Sequence, residues 1–266
     1  MLRTVAGRQD ATLQGVRVAV LSSHRAPGAD YLLREDPNRG ERYEIAAFVA
    51  SDPANADLGR FVAAGVPTAV HDIRAFYAAR GARLTDLGPR PDYDGELRDA
   101  LTVHRPDLVV LCGYLHILTA SMLDAYPGRI VNIHDSDLAL LGRDGRPKYR
   151  GLRSTRDAVF AGEPVTRSTV HLVTPEVDVG PVLVRSWPFP VHALVEDARR
   201  WGTNDILKAY AYAQREWMMR AAWGPLLARA IELFVEGAPA SFTTRPHAEP
   251  VLQNAGEGGA ILVESE

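Results

Sequence analysis

Asn132-Ile133-His134 closes the apolar run Gly128-Arg129-Ile130-Val131, and Glu176-Val177-Asp178-Val179-Gly180-Pro181 follows the run Ser168–Val173. An amide, an imidazole and a carboxylate, each at the end of a strand-like apolar run, are the groups needed to hold a carbonyl and move a proton. Asn can donate to a developing oxyanion, His exchanges protons near neutral pH, and Asp orients and charges the His. Any α/β protein places polar residues at strand ends, so a His134 that merely caps a strand is the plain alternative. His134-Asp135-Ser136-Asp137 also sets two carboxylates beside one imidazole. A zinc site would want a second His or Cys at short spacing, and none stands nearby, so no metal is expected.

Other constellations carry less. The turn Ser22-Ser23-His24-Arg25-Ala26-Pro27-Gly28-Ala29-Asp30 follows the first apolar run, where α/β sheets receive ligands. It holds neither G-x-G-x-x-G nor G-x-x-x-x-G-K-[ST], so dinucleotide and P-loop readings have no support. Arg25 and the following helix start could receive an anion, or the turn could simply be solvated. His116 and His171 show no partner in sequence and read as packed or surface histidines. The basic stretch Arg143, Arg146, Lys148, Arg150 is either a solvated insertion or a clamp for an anionic group. No Ser or Cys sits in a nucleophile elbow, so covalent acyl chemistry has little support.

Alternating short apolar runs and helical patterns position these groups. Strands are expected at Val16–Leu21, Tyr43–Ala50, Pro67–Val70, Asp107–Cys112 and Ile130–His134. Helices are expected at Ala29–Arg34, from Leu58 with Asp57 as cap, at Ile73–Arg80, Tyr93–His104, Thr119–Tyr126 with Thr119 as cap, and Ser154–Ala161. Gly81–Pro91 reads as a loop. Ser168–Val173 and Pro181–Phe189 alternate like antiparallel strands around the Asp178 loop. Thr203–Val235 is strongly helical, with a break expected near Gly224-Pro225. Ala260–Val263 reads as an edge strand or an unpaired end. The fold class is therefore α/β: a Rossmann-like, mainly parallel sheet flanked by helices, with antiparallel strands and long helices in the C-terminal third. Residues 1–15 read as a flexible N-terminus, 16–237 as one domain and 238–266 as a tail.

The whole chain fits an ordinary globular class: 266 residues, 46% hydrophobic, 24% charged, with 30 basic against 33 acidic side chains. That balance argues against nucleic acid or a membrane surface as partner. No apolar run is long enough to span a bilayer and no secretory leader is evident, so a cytoplasmic location is expected. The single cysteine, Cys112, lies inside an apolar run and reads as a buried, inert thiol.

Asp107-Leu108-Val109-Val110-Leu111-Cys112-Gly113-Tyr114-Leu115-His116-Ile117-Leu118, Pro127–His134, Thr169–Val173 and Glu176–Pro181 together resemble the folate-dependent formyltransferases. The branch most resembled is the one that formylates glycinamide ribonucleotide in purine synthesis. The resemblance spans roughly Val16 to Gly237 and implies transfer of a formyl group from 10-formyltetrahydrofolate, as co-substrate, to a primary amine. It implies Asn132, His134 and Asp178 as catalytic residues. It implies a folate pocket at Leu115, His116, Ile117, Leu118, Val173, Thr174, Glu176 and Val177, and an acceptor side drawn from Arg25, Gly28, Asp135 and Glu216. Four departures stand out. His24–Asp30 replaces the family's Gly-x-Gly-Ser-Asn phosphate loop. His134-Asp135-Ser136-Asp137-Leu138-Ala139 replaces His-Pro-Ser-Leu-Leu-Pro, His116 stands where an arginine is frequent, and the loop before Tyr149 is longer. The implied partners are a small-molecule amine, glycinamide ribonucleotide-like, and folate. The alternatives are an amino sugar nucleotide or other small amine as acceptor, or a non-catalytic folate- or nucleotide-binding module. A hydrolase using water as acceptor is expected to carry an N-terminal regulatory domain, and the fifteen residues before the first strand are expected to be too few for one.

Overall fold

The computed structural model describes residues 15–237 and the backbone of 250–252 and 263–265. In chain order the strands are β1 (Val16–Ser22), β2 (Tyr43–Ala50), β3 (Thr68–Val70), β4 (Leu108–Leu111), β5 (Ile130–His134), β6 (Val165–Thr166), β7 (Thr169–Leu172), β8 (Val182–Arg185), β9 (Phe189–Pro190), β10 (Pro250–Leu252) and β11 (Val263–Ser265). Nine of them form one sheet in the order β11-β10-β8-β7-β5-β4-β1-β2-β3, while β6 and β9 pair separately. From β5 to β3 all neighbours run parallel. β7 is antiparallel to both β5 and β8.

The helices are α1 (Ala29–Arg34), α2 (Leu58–Ala63), α3 (Ile73–Ala79), α4 (Arg90–Thr102), α5 (Ala120–Leu123), α6 (Ser154–Ala161), α7 (Leu194–Arg200) and α8 (Asn204–Val235). They cover both faces of the sheet, which explains the unbroken apolar runs of the parallel strands. On β1, Val18 and Val20 join the core under α1 and α8, whereas Ala19 and Leu21 join the core under α4 and α5. All four are fully buried. Each fully buried Val or Leu contributes about 1.5–3 kcal/mol, so the central strands are anchored from both sides.

Several elements depart from their sequence expectation. α8 runs through Pro225 as one helix of 32 residues rather than breaking there. An interior proline costs about 3 kcal/mol in lost hydrogen bonding and ring crowding. Met218, Ala222 and Trp223 before it, and Leu226, Leu227, Ala230 and Ile231 after it, are buried in the same core cluster, and that burial outweighs the cost. Gly224 makes room for α1: a Cβ there would lie 2.4 Å from that of Tyr31.

Asp57 and Thr119 precede their helices as expected but cap neither. The Asp57 carboxylate instead accepts from the Ala26 N–H at 2.7 Å, and Thr119 donates from N and Oγ1 to Asp94. α4 starts at Arg90, so the expected loop ends sooner; Pro91 fits the first turn, where its missing N–H costs nothing. The run Pro181–Phe189 divides: β8 stops at Arg185 and Phe189 pairs with β6. Of Ala260–Val263, Val263 pairs in β11, and the preceding residues lie outside those described. Among the described residues no helix is long and apolar enough to cross a membrane.

Candidate active site

The switch from parallel to antiparallel pairing at β5 assembles the polar centre. A strand's two-residue period puts Asn132 and His134 on one face, and the antiparallel register sets His171 of β7 directly opposite Asn132. Asn132 Nδ2 lies 3.1 Å from His171 Nε2, and His171 Nδ1 lies 2.9 Å from the Leu172 carbonyl. A carbonyl only accepts, so His171 carries its proton on Nδ1 and takes a hydrogen bond from the Asn132 amide at Nε2. Burial, with the His134 ring nearby, lowers the His171 pKa to about 4 although Asp178 opposes the shift. His171 is therefore neutral at physiological pH, as its acceptor role requires. Reading it as a packed histidine caught its burial and missed its work of orienting Asn132.

Asp178 hangs over this pair from the β7–β8 loop. Its φ of 56° is a left-handed conformation that few residues other than Gly adopt, with Asp among the more tolerant. The loop folds tightly back on β7, since a Cβ on Gly180 would sit 1.8 Å from the Leu172 carbonyl oxygen. Asp178 Oδ2 accepts from the Gly151 N–H at 2.7 Å and stands 3.6 Å from His134 Nε2. That last separation is longer than a hydrogen bond. His134 Nε2 is consequently buried without a hydrogen-bond partner among the described residues. Leaving a buried polar atom unsatisfied costs about 1–3 kcal/mol, which a ligand reaching this atom would recover.

The three groups end a cavity of about 320 Å³, walled by Leu111, Tyr114–Leu118, Gly151, Leu152, His171, Val173, Thr174, Pro175 and Val177. Its walls are mostly apolar, with exposed Leu115 and Ile117 at the mouth. His116 stands edge-on to Tyr114, ring centroids 5.4 Å apart, and burial lowers its pKa to about 4. Leu115, His116, Ile117, Leu118, Val173, Thr174 and Val177 thus share one cavity with Asn132, His134 and Asp178. Glu176 does not belong to the wall: its carboxylate pairs with Arg146 at 3.1 Å and Arg150 at 3.5 Å. Tyr114, Gly151, Leu152 and His171 are wall residues that sequence reasoning missed. The Gly151 contact has no local signal, but the alternation of Thr169-Val170-His171 beside β5 could have pointed to His171.

Of the residues expected on the acceptor side, three share one cleft and Asp135 lies apart from them. Arg25, Gly28 and Glu216 line a different cleft, of about 620 Å³, between α1 and α8. There Arg25 and Glu216 form a two-bond ion pair, with Nη1 to Oε2 at 3.0 Å. Gly28 has φ 89°, and a Cβ on it would meet the Trp223–Gly224 backbone at 2.8 Å, so its part is helix packing. Asp135 does not line the cavity that contains His134. Its carboxylate is buried between α6 and α8, held by Arg215 and by Ser154 Oγ at 2.7 Å. Burial pushes the Asp135 carboxyl up, but His134, Arg215 and Ser154 together leave it below the usual range. The basic loop spends its charge internally as well, Lys148 on Glu163 at 2.6 Å and Arg146 and Arg150 on Glu176. Cys112 is buried and donates to the Pro27 carbonyl at 2.9 Å, and burial pushes its thiol up. No cluster of three or more metal-ligating side chains occurs among the described residues.

Comparison with known proteins gives this geometry a context. Residues 16–200 match the family described as formyl transferase. The trifunctional purine biosynthetic protein adenosine-3 of Drosophila melanogaster is 32% identical over 199 residues, covering 74% of this chain and 13% of that protein. Phosphoribosylglycinamide formyltransferase of Escherichia coli (strain K12) is 39% identical over 97 residues, covering 36% of this chain and 42% of that protein. The chain's matches therefore span well under two thirds of either relative. Among solved structures, glycinamide ribonucleotide transformylase 1 from Symbiobacterium toebii superposes with a TM-score of 0.59 at 30% identity, covering 84% of this chain and 89% of that one.

Proposed function

Since the chain belongs to the formyl transferase family, we propose that it moves a formyl group from 10-formyltetrahydrofolate to the primary amine of a small, glycinamide ribonucleotide-like acceptor in the cytoplasm. The observation that carries this reading is the buried His134 Nε2, without a hydrogen-bond partner among the described residues, at the end of an apolar-walled cavity with Asn132 and Asp178 around it. Apolar walls suit a flat heteroaromatic ring. The folate co-substrate supplies a formyl carbon already bonded to nitrogen.

The acceptor's amine nitrogen forms a bond to that carbon, and the bond to the folate nitrogen breaks. As the carbonyl oxygen gains negative charge, Asn132 Nδ2 and His134 Nε2 are the donors that stabilise it. Asn132 has two amide hydrogens; His171 takes one, which aims the other at the cavity. Asp178, 3.6 Å from His134 Nε2, is placed to help pass the amine's proton to the folate nitrogen. Its left-handed backbone and its bond from Gly151 hold it there. No step needs a metal ligand.

The test incubates the protein with 10-formyltetrahydrofolate and a panel of amines, following tetrahydrofolate release and product mass, with a control lacking amine. Formylation of one amine far above that control is expected. Release of formate at the same rate with and without every amine would replace this reading with hydrolysis. No turnover at all would leave a binding module.

A further inference from the structure

A third cleft, of about 290 Å³, opens beside the catalytic cavity and shares Leu152 with it. Its charged lining is Arg153, Arg156, Lys208 and Arg215, against the single carboxylate of Asp135. That carboxylate is already bonded to Ser154 and Arg215. Arg156 and Lys208 have acidic neighbours, Asp157 at 3.2 Å and Asp205 at 3.1 Å, but these pairs are solvent-exposed and worth little. Arg153, at the start of α6, has no ion-pair partner among the described residues, and its side chain is exposed. With Arg215 and Asp135 paired, Arg153, Arg156 and Lys208 leave the concavity an excess of positive charge next to the reacting centre.

The α1–α8 cleft is the opposite case. Its cations Arg25, Arg60 and Arg220 face Asp30, Glu35, Asp57 and Glu216. Within the β1–α1 turn the Ala26 N–H is taken by Asp57 and the Ala29 N–H by the Ala26 carbonyl, while Pro27 has none. An arriving phosphate would have to displace the protein's own carboxylate.

Building on the formyl-transfer reading, we propose that the α6–α8 cleft is the seat for a phosphoryl group of the acceptor, and that the β1–α1 turn is not. A phosphorylated amine anchored by Arg153, Arg156 and Lys208 places its uncharged part across Leu152 and its amine toward Asn132 and His134. Guanidinium forks match phosphoryl oxygens, and the two exposed neighbours are cheaply given up.

Titration calorimetry of the full chain with inorganic pyrophosphate tests this without turnover. Saturable binding is expected, weakened about tenfold or more by the double substitution Arg153→Ala/Lys208→Ala and changed less than about twofold by Arg25→Ala. Both replaced residues are exposed, so the fold is expected to hold; Arg153→Ala alone, with a smaller loss, is the second variant. Absent binding, binding indifferent to Arg153 and Lys208, or binding lost on Arg25→Ala overturns the proposal. Tetrahydrofolate binding on the same samples separates the two readings. If pyrophosphate binds as expected but neither folate binding nor formyl transfer is found, the function falls and the anion seat stands.

Discussion

At the end of β5, His134 Nε2 faces a cavity without a hydrogen-bond partner among the described residues, whereas at the β1–α1 turn the charges are spent on one another. His134 Nε2 is buried and unbonded, yet Arg25 has Glu216, Asp57 has the Ala26 N–H, and Arg146 and Arg150 share Glu176. The contrast separates two uses of polar residues. Groups that stay unsatisfied at some cost are held ready for a ligand, and groups that satisfy each other hold the scaffold together. It also accounts for the charged residues expected at the acceptor end: Arg25 and Glu216 pair with each other and Asp135 pairs with Arg215.

The sharpest way to break this contrast is to remove the donors that face the cavity. His134→Ala and Asn132→Ala are each expected to lower formyl-transfer turnover by about 10²–10³ or more, since each removes a donor to the developing oxyanion. Tetrahydrofolate affinity and thermal unfolding should barely move. Retention of more than about a tenth of wild-type kcat would place the chemistry elsewhere.

A structural pair should behave in the opposite way. Arg215→Met leaves the Asp135 carboxylate buried without its countercharge. Breaking a buried pair costs about 3–5 kcal/mol, and the partial exposure of Arg215 reduces the expected loss to about 2 kcal/mol in urea unfolding. The double substitution Asp135→Asn/Arg215→Met should recover most of it. If Arg215→Met instead spares stability and abolishes turnover, this pair belongs to the chemistry.

His171 sits on the boundary between the two groups and has a pH signature. Its pKa falls from the ordinary 6.5 to about 4 on folding, so as pH drops the unfolded chain takes up the proton first. The stability contributed by keeping it neutral is complete above about 6.5 and is lost as pH falls toward 4. The urea midpoint of the wild type should therefore drop between pH 7 and 4.5, and less steeply in His171→Gln. Equal slopes would mean that His171 titrates normally in the folded protein.

The smallest effect is expected at the sealed turn. Arg25→Ala removes a half-exposed ion pair, worth about 0.2–1 kcal/mol of stability. A larger change in acceptor KM than in unfolding midpoint would show that Arg25 touches substrate after all.

Periodicity alone made β1, β2, β5, α1 and α6 legible, because a strand buried on both faces must be apolar throughout and a helix must repeat its apolar residues along one stripe. The resemblance carried by Asn132-Ile133-His134 and Glu176–Pro181 brought the three central residues and most of the cavity wall to one place. The break at Pro225 was misjudged, since local propensity counts the lost hydrogen bond but not the core residues packed on either side of it. Asp57 and Thr119 fooled the capping rule in the same way, as distant backbone and Asp94 claimed them first.

What the sequence determined by itself was the layered α/β architecture and the presence of an amide, an imidazole and a carboxylate at the ends of its strands. Only the tertiary structure decided which polar groups remain unpartnered. That depends on which side chains meet across the sheet and between helices: His171 opposite Asn132, Gly151 against Asp178, Arg215 against Asp135, Glu216 against Arg25. Pairing is a property of distance in the folded molecule, and residues 27 to 191 positions apart in the chain carry no local sign of it.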